Sequence, residues 1–229
     1  MDRILRGAPG WEDALATSLV SVPRPIEVDP RFTPRAAPDD AGLRVRLRTY
    51  DRADMPPARL AATLLLIYPG DDGTLQTPLT VRHASLRDHA GEVSLPGGSV
   101  EQADASPEAA ALREAWEEIG VDPGSVRIIG ELDEIWIPVS NFEIRPYVGA
   151  IAARPDLRPQ TDEVAAIVEL PLSLLVADEA ITEELIEGRG WQLRAGAYRY
   201  GGERIWGATA RTLAMMASVL RHAAEARAG

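Results

Sequence analysis

The chain contains neither cysteine nor lysine among its 229 residues. The absence of cysteine excludes a thiol nucleophile, a disulfide and a thiolate metal site. The absence of lysine excludes a phosphate-binding loop of the Gly-Lys-Ser/Thr type, Schiff-base catalysis and a lysine base. All 24 basic residues are therefore arginines.

Long apolar runs are also missing. The longest, residues 60–68, is far too short to span a bilayer, and the N-terminus lacks the apolar stretch of a signal peptide. The net charge of −11 argues against nucleic acid or an anionic membrane as the main partner. We therefore expect a cytoplasmic protein.

The chain divides into two parts by composition. Residues 1–58 are rich in Pro, Asp and Arg, and they predict an N-terminal extension, with a weak helix near residues 11–19, packed on the domain formed by residues 59–229. Several short β-like runs and two long helical patterns predict an α/β fold with a mixed sheet between helical layers. We expect residues 191–200 to form a hairpin.

A glycine turn followed by an acidic helix is the most informative pattern. Leu95-Pro-Gly-Gly98 precedes Leu112-Arg-Glu-Ala-Trp-Glu-Glu-Ile-Gly-Val121, which carries Glu114, Glu117 and Glu118. Residues at i, i+3 and i+4 share one helix face, where like charges repel each other. A divalent cation converts this repulsion into binding, because hard ions take carboxylate oxygens together with substrate phosphates.

The boundaries of this helix are well marked. Ser106 is a good N-cap, Pro107 suits the first helical position, and Gly120 ends the helix. The opposite face is expected to be an apolar stripe, formed by Leu112, Ala115, Trp116 and Ile119.

The turn and helix together resemble the Nudix box, whose pattern is Gly, five residues, Glu, seven residues and Arg-Glu-x-x-Glu-Glu-x-Gly followed by an apolar residue. Counted from Gly98, the first acidic position holds Asp104 instead of Glu, and eight residues separate it from Arg113. A shorter acid with one inserted residue can still reach Arg113, so we interpret this as a variant box.

The segment before the box resembles the signature of the coenzyme A diphosphatase branch of that family. Two residues depart from this signature: Pro78 stands where Leu is usual, and His83 where Ser or Ala is usual. The Asp104 variant of the box, in contrast, is similar to this branch. The matching residues are Leu79, Thr80, Arg82, Arg87, Gly91, Leu95, Pro96, Gly97 and Gly98.

The resemblance implies a Nudix-like α/β/α sandwich and metal-dependent hydrolysis of the coenzyme A diphosphate bond by water. It implies that the three box glutamates and the Gly97 carbonyl hold Mg²⁺ or Mn²⁺, with Arg113 orienting the glutamates. It assigns catalysis to Arg113, Glu114 and Glu118, and substrate binding to Arg82, Arg87, Gly91 and Gly98. The general base is left open between Glu114 and Glu163.

Rival functions stay open as well. One is a Nudix hydrolase of ADP-ribose, NADH or another nucleoside diphosphate derivative, and another is a non-catalytic module that senses nucleotides. The intact set of box residues argues against the second, since a pure binder has no need for every metal ligand. A serine hydrolase is excluded because no Gly-x-Ser-x-Gly elbow occurs. The number of metal ions, a preference for acyl forms and a homodimer are left undecided.

Overall fold

The secondary structure consists of runs of consecutive strands separated by helices. The structure is a computed structural model and describes residues 5–36, 51–85, 91–160, 162–188 and 191–226. In this part of the chain the helices are α1 (Trp11–Ser21), α2 (Pro107–Ile119), α3 (Leu172–Leu175) and α4 (Gly207–Glu225). The strands are β1 (Arg35–Ala36), β2 (Arg59–Pro69), β3 (Leu75–Arg82), β4 (Val93–Ser94), β5 (Gly97–Ser99), β6 (Arg127–Glu131), β7 (Ile135–Ile137), β8 (Phe142–Ala150), β9 (Val164–Pro171), β10 (Ile181–Gly188), β11 (Trp191–Tyr200) and β12 (Glu203–Ile205).

The main sheet is mixed. Its described strands run in the order β4-β3-β2-β8-β6, with β5 beside β2, β7 beside β8 and β9 beside β3. Strand β2 is parallel to β8 and antiparallel to β5. The glycine turn therefore lies directly against the central strand of the sheet.

Both faces of β2 are buried, which explains its nearly continuous apolar sequence. Because side chains alternate along a strand, Leu65 and Ile67 join one hydrophobic cluster, which also contains α1 and α4 residues. Leu64 and Leu66 join a second cluster with the apolar residues of α2. The sheet thus separates two helical layers, and the expected α/β architecture is confirmed.

A second, smaller sheet was not expected from the sequence. Among the described residues it contains β1, β10, β11 and β12, and Phe32 stacks on Tyr198 of β11 with ring centroids 5.0 Å apart. The hairpin expected within residues 191–200 is wrong, because these residues form the single strand β11. The turn to β12 lies beyond them, where Gly201 and Gly202 supply the positive φ angles of 60° and 87°.

The N-terminal helix α1 is part of the core. Trp11, Leu15 and Leu19 are buried in the same cluster as the residues of α4, and α1 packs against both α4 and β6. The division of the chain at residues 58 and 59 stays a prediction. In the described part of the chain, no helix combines the length and apolar character needed to cross a membrane.

Candidate active site

Helix α2 begins and ends where its capping residues predict. The Ser106 hydroxyl accepts a hydrogen bond from the Ala109 amide at 3.1 Å, and Pro107 occupies the first turn. Gly120 closes the helix in the left-handed conformation with φ 74°. The expected apolar stripe is wrong at Trp116, whose side chain is 57% exposed, because the buried face is turned toward Ala111 and Ala115 instead.

The glycine turn needs glycine at both positions because the chain approaches its neighbours closely. Gly97 has φ 156°, and a Cβ atom there would lie 2.7 Å from the Thr63 Cα atom of β2. A Cβ atom on Gly98 would lie 2.6 Å from the Glu114 Cδ atom. Glycine at position 98 therefore allows the Glu114 carboxylate to lie against the turn.

Glu118 is the buried carboxylate of the site, with only 5% of its surface exposed. Its Oε2 atom accepts a hydrogen bond from the Gly97 amide at 3.3 Å. Burial raises the pKa of Glu118 to about 7, and the negative charges of Glu114 and Glu163 add to this shift, whereas the Gly97 amide and Arg82 oppose it. The Gly97 amide contacts the acidic helix directly, while a metal-binding role for the Gly97 carbonyl stays a prediction.

Arg113 connects the carboxylates of the box. Its Nε and Nη2 atoms donate to the two Asp104 oxygens at 3.0 and 3.1 Å, so the predicted reach of Asp104 to Arg113 is confirmed. Its Nη1 atom donates to Glu114 Oε1 and Glu117 Oε2, both at 3.0 Å. Hydrogen bonding to Arg113 lowers the pKa of Asp104 and raises the pKa of Arg113 itself. Hydrogen bonds from one guanidinium therefore connect Asp104, Glu114 and Glu117.

Glu114 and Glu117 differ in their surroundings. Burial raises the pKa of Glu114, with Glu117 and Glu163 adding to the shift and Arg113 opposing it. The Glu117 side chain is 48% exposed and is held by Arg113 at the rim of the site. Of the three box glutamates, Glu114 and Glu118 are the two that lie against the glycine turn.

Arg82 stands at the end of β3, close enough to lower the pKa of Glu118 by its charge. Its Nε atom is buried and has no hydrogen-bond partner among the described residues. Gly91, with φ 72°, donates its amide to the Arg82 carbonyl at 3.1 Å and so shapes the backbone beside it. Arg87 lies outside the described residues.

Glu163 is brought to the same place from a distant part of the sequence. It directly precedes β9, whose first residue, Val164, pairs with Arg82. The His83 amide donates to the Glu163 carbonyl at 2.8 Å. The negative charge of Glu163 acts on both Glu114 and Glu118, so both candidates for the general base lie in one site.

The donor set suits a hard divalent cation. Among the described residues, no three acidic or histidine side chains are gathered into a metal-binding group. Magnesium, however, is commonly held by one or two protein carboxylates together with water and substrate phosphates. Glu114 and Glu118 beside the glycine turn match that requirement, and a bound cation would relieve the burial of two negative charges.

Known proteins match this chain over the same region. The NUDIX domain model matches residues 58–187. Nudix hydrolase 15, mitochondrial, from Arabidopsis thaliana is 37% identical over 69% of this chain and 58% of its own length. The Nudix hydrolase NudL of Pectobacterium atrosepticum is 38% identical over 69% of this chain and 81% of its own. NudL of Citrobacter koseri is 42% identical over 58% of this chain and 68% of its own.

The plant relative is therefore matched over little more than half its length. The family match nevertheless covers β2, the glycine turn, α2 and Glu163 together, which are the elements that build the site. The chain belongs to the Nudix family.

Proposed function

We propose that this chain is a metal-dependent hydrolase that cuts the diphosphate bond of coenzyme A or its acyl derivatives. The observation that carries the hydrolase proposal is the packing of Glu114 and Glu118 against the glycine turn, where Arg113 and Asp104 hold the acidic helix in place. Cytoplasmic location is part of the same proposal.

In this proposal Glu114 and Glu118 hold Mg²⁺ or Mn²⁺, with Glu117 at the rim and the Gly97 carbonyl as a further oxygen donor. A cation held there would neutralise diphosphate charge and lower the pKa of water. Arg113 keeps the carboxylates in position and does not touch the substrate. Either Glu163 or Glu114 takes the proton from the attacking water, and the effect of the Glu163 charge on Glu114 and Glu118 supports both candidates.

The preference for coenzyme A rests on the segment from Leu79 to Gly98. Coenzyme A presents a diphosphate and a separate 3′-phosphate, and guanidinium groups bind such oxygens in a fork geometry. Arg82 fits this role because its buried Nε atom has no partner among the described residues. Arg87 is proposed to bind a second phosphate, and Gly91 and Gly98 to leave room for the substrate.

The bond that breaks is the single diphosphate linkage. The oxygen of water forms a bond to one phosphorus atom while the bridging oxygen leaves with the other, yielding 3′,5′-ADP and 4′-phosphopantetheine. The thioester of an acyl form is not attacked, because the chain has no thiol and no serine elbow. The acyl group is expected to stay on the pantetheine product.

A substrate panel tests this proposal. Purified protein with Mg²⁺ or Mn²⁺ is given coenzyme A, its analogue without the 3′-phosphate, ADP-ribose and NADH, and kcat/KM is measured for each. We expect the highest value for coenzyme A. A higher value for ADP-ribose or NADH would favour the second substrate class, and binding without any turnover would favour a nucleotide sensor.

The Arg82→Ala variant, assayed on the same substrates, tests whether the Arg82 side chain binds a substrate phosphate. One charge-assisted hydrogen bond contributes about 1.5–3 kcal/mol, so kcat/KM for coenzyme A should fall roughly 10- to 100-fold. If Arg82 binds the 3′-phosphate, the loss should disappear with the analogue that lacks it. An equal loss on both substrates would place Arg82 at the diphosphate, and no loss on either would exclude Arg82 from substrate binding.

A further inference from the structure

The segment that joins β8 to β9 lies across the C-terminal end of α2, and we name its described residues, 151–160 and 162–163, the strap. Residue 161 lies outside the described part of the chain. The Arg158 amide donates to the Ile119 carbonyl and the Gln160 amide to the Glu118 carbonyl, both at 2.9 Å. The last carbonyls of a helix have no partner within the helix. The strap therefore caps the same helical turn that carries the Glu118 carboxylate.

The beginning of the strap is fixed independently. Arg154 donates to Glu169 Oε1 at 2.6 Å and to Asp71 Oδ2 at 2.7 Å. The hydroxyl of buried Tyr68 donates to the other Glu169 oxygen at 2.7 Å. Because both ends of the strap are held, its last turn has a defined position beside the acidic helix.

Gln160 organises that last turn. Its carbonyl accepts hydrogen bonds from the Glu163 amide at 3.2 Å and the Val164 amide at 2.7 Å. Its side-chain oxygen accepts from the Asp162 amide at 2.9 Å. The Glu163 carbonyl in turn accepts from the His83 amide at 2.8 Å. The backbone of Glu163 is thus held on both sides, by Gln160 and by the residue that follows Arg82.

We propose that Gln160 is a positioning residue, whose side chain fixes the strap turn so that the Glu163 carboxylate faces Glu114 and Glu118 during hydrolysis. This inference rests on the proposed hydrolase function. It assigns Glu163 the contact with the attacking water and gives Gln160 no contact with substrate. Gln160 is exposed at the surface, so its replacement should leave folding intact.

The first test compares three strap variants on the best substrate of the panel. Gln160→Met keeps the length of the side chain but removes the acceptor, and it should lower kcat about tenfold with little change in KM, as expected for one net hydrogen bond. Gln160→Glu keeps an acceptor oxygen and should restore kcat to within about threefold of wild type. Asp156→Asn, an exposed change elsewhere in the strap, should match wild type. An unchanged kcat in Gln160→Met, or an equal loss in Gln160→Glu, would overturn the inference.

A double-mutant cycle then tests whether Gln160 acts through Glu163. In a Glu163→Gln background, Gln160→Met should cost less than about twofold in kcat, because coupled residues are not additive. A full tenfold loss in that background, or normal kcat in Glu163→Gln alone, would overturn the inference. If the panel shows ADP-ribose cleavage instead of coenzyme A cleavage, only the substrate proposal fails and the cycle is run on ADP-ribose. An inactive wild-type protein would overturn both.

Discussion

At the scale of single residues, the charge of Glu118 has opposite effects on folding and on the proposed cation binding, and these two effects are in conflict. The Glu118 carboxylate is buried next to Glu114 and within the influence of Glu163, so its charge is destabilising in the folded protein without a cation. In the proposed function this cost is expected, because the charge that opposes folding is the charge that would bind the cation. The conflict gives measurable consequences for stability as well as for activity.

The first prediction concerns Glu118→Gln in metal-free protein. The folded-state pKa of Glu118, about 7, lies above its ordinary value of 4.5. For an acid this sign means that the folded state loses stability as the pH rises from 4.5 to 7, by roughly 3–4 kcal/mol in all. The Gln variant does not titrate, so it should be more stable than wild type at pH 8 and equally stable near pH 4.

Chemical unfolding in the presence of a chelator measures this difference at the two pH values. Glu108→Gln, which changes an exposed acid on the same helix, is the matched control and should show no such pH dependence. The prediction fails if the difference between wild type and Glu118→Gln is the same at both pH values. Added Mg²⁺ should raise the stability of wild type much more than that of the variant.

The second prediction concerns Gly98→Ala. The new Cβ atom would overlap the Glu114 carboxylate, which is the end of a flexible side chain and can move away. Folding should therefore survive while kcat falls roughly 100-fold or more, as expected when a metal ligand is displaced. Ser99→Ala, at the neighbouring exposed position, is the control. Near-normal kcat in Gly98→Ala would show that Glu114 is not needed at the turn.

At the scale of elements, much of α2 could be predicted from the sequence and part of it could not. Ser106 and Gly120 cap the helix through local backbone rules, so their roles were predictable from sequence position alone. The exposure of Trp116 was not, since it depends on where the sheet and the strap lie relative to the helix. Sequence periodicity also does not predict that Glu163 lies near Glu118. This proximity follows from the pairing of β3 with β9.

The third prediction concerns the contact between Asp104 and α2. Asp104→Asn keeps the shape of the side chain but removes the charge that holds the Arg113 guanidinium. We expect kcat to fall about tenfold through misplacement of Glu114 and Glu117, since charge-assisted bonds are the stronger ones. Steady-state kinetics would measure this loss, with Glu108→Gln again as the control. Unchanged kcat would mean that the Arg113 guanidinium keeps its position without the charge of Asp104.

At the scale of the whole molecule, the layers of the sandwich depend on residues outside the family match. Leu15 of α1 is completely buried in the cluster that contains α4 and one face of β2. The composition of residues 1–58 predicted an extension packed on the domain but did not show how deeply α1 contributes to the core. That contribution depends on tertiary contacts between residues far apart in sequence.

The fourth prediction follows from this packing. Leu15→Ala should destabilise the whole domain by about 2–5 kcal/mol, because it removes buried methyl groups and leaves a cavity. Val20→Ala on the same helix removes an 87% exposed side chain and should change the free energy of unfolding by less than about 0.5 kcal/mol. Thermal unfolding of the two variants measures both values. A small effect of Leu15→Ala would show that α1 is separable from the core.

The central claim is that water attacks the diphosphate bond of coenzyme A in a site built by α2 and the glycine turn. The most direct test is hydrolysis of an acyl coenzyme A in ¹⁸O-labelled water with Mg²⁺, with the products identified by mass. We expect 3′,5′-ADP and the acyl form of 4′-phosphopantetheine, with the label on one of the two product phosphates and none on a carboxylate. Release of free fatty acid, or inorganic phosphate as the first product, would contradict the account.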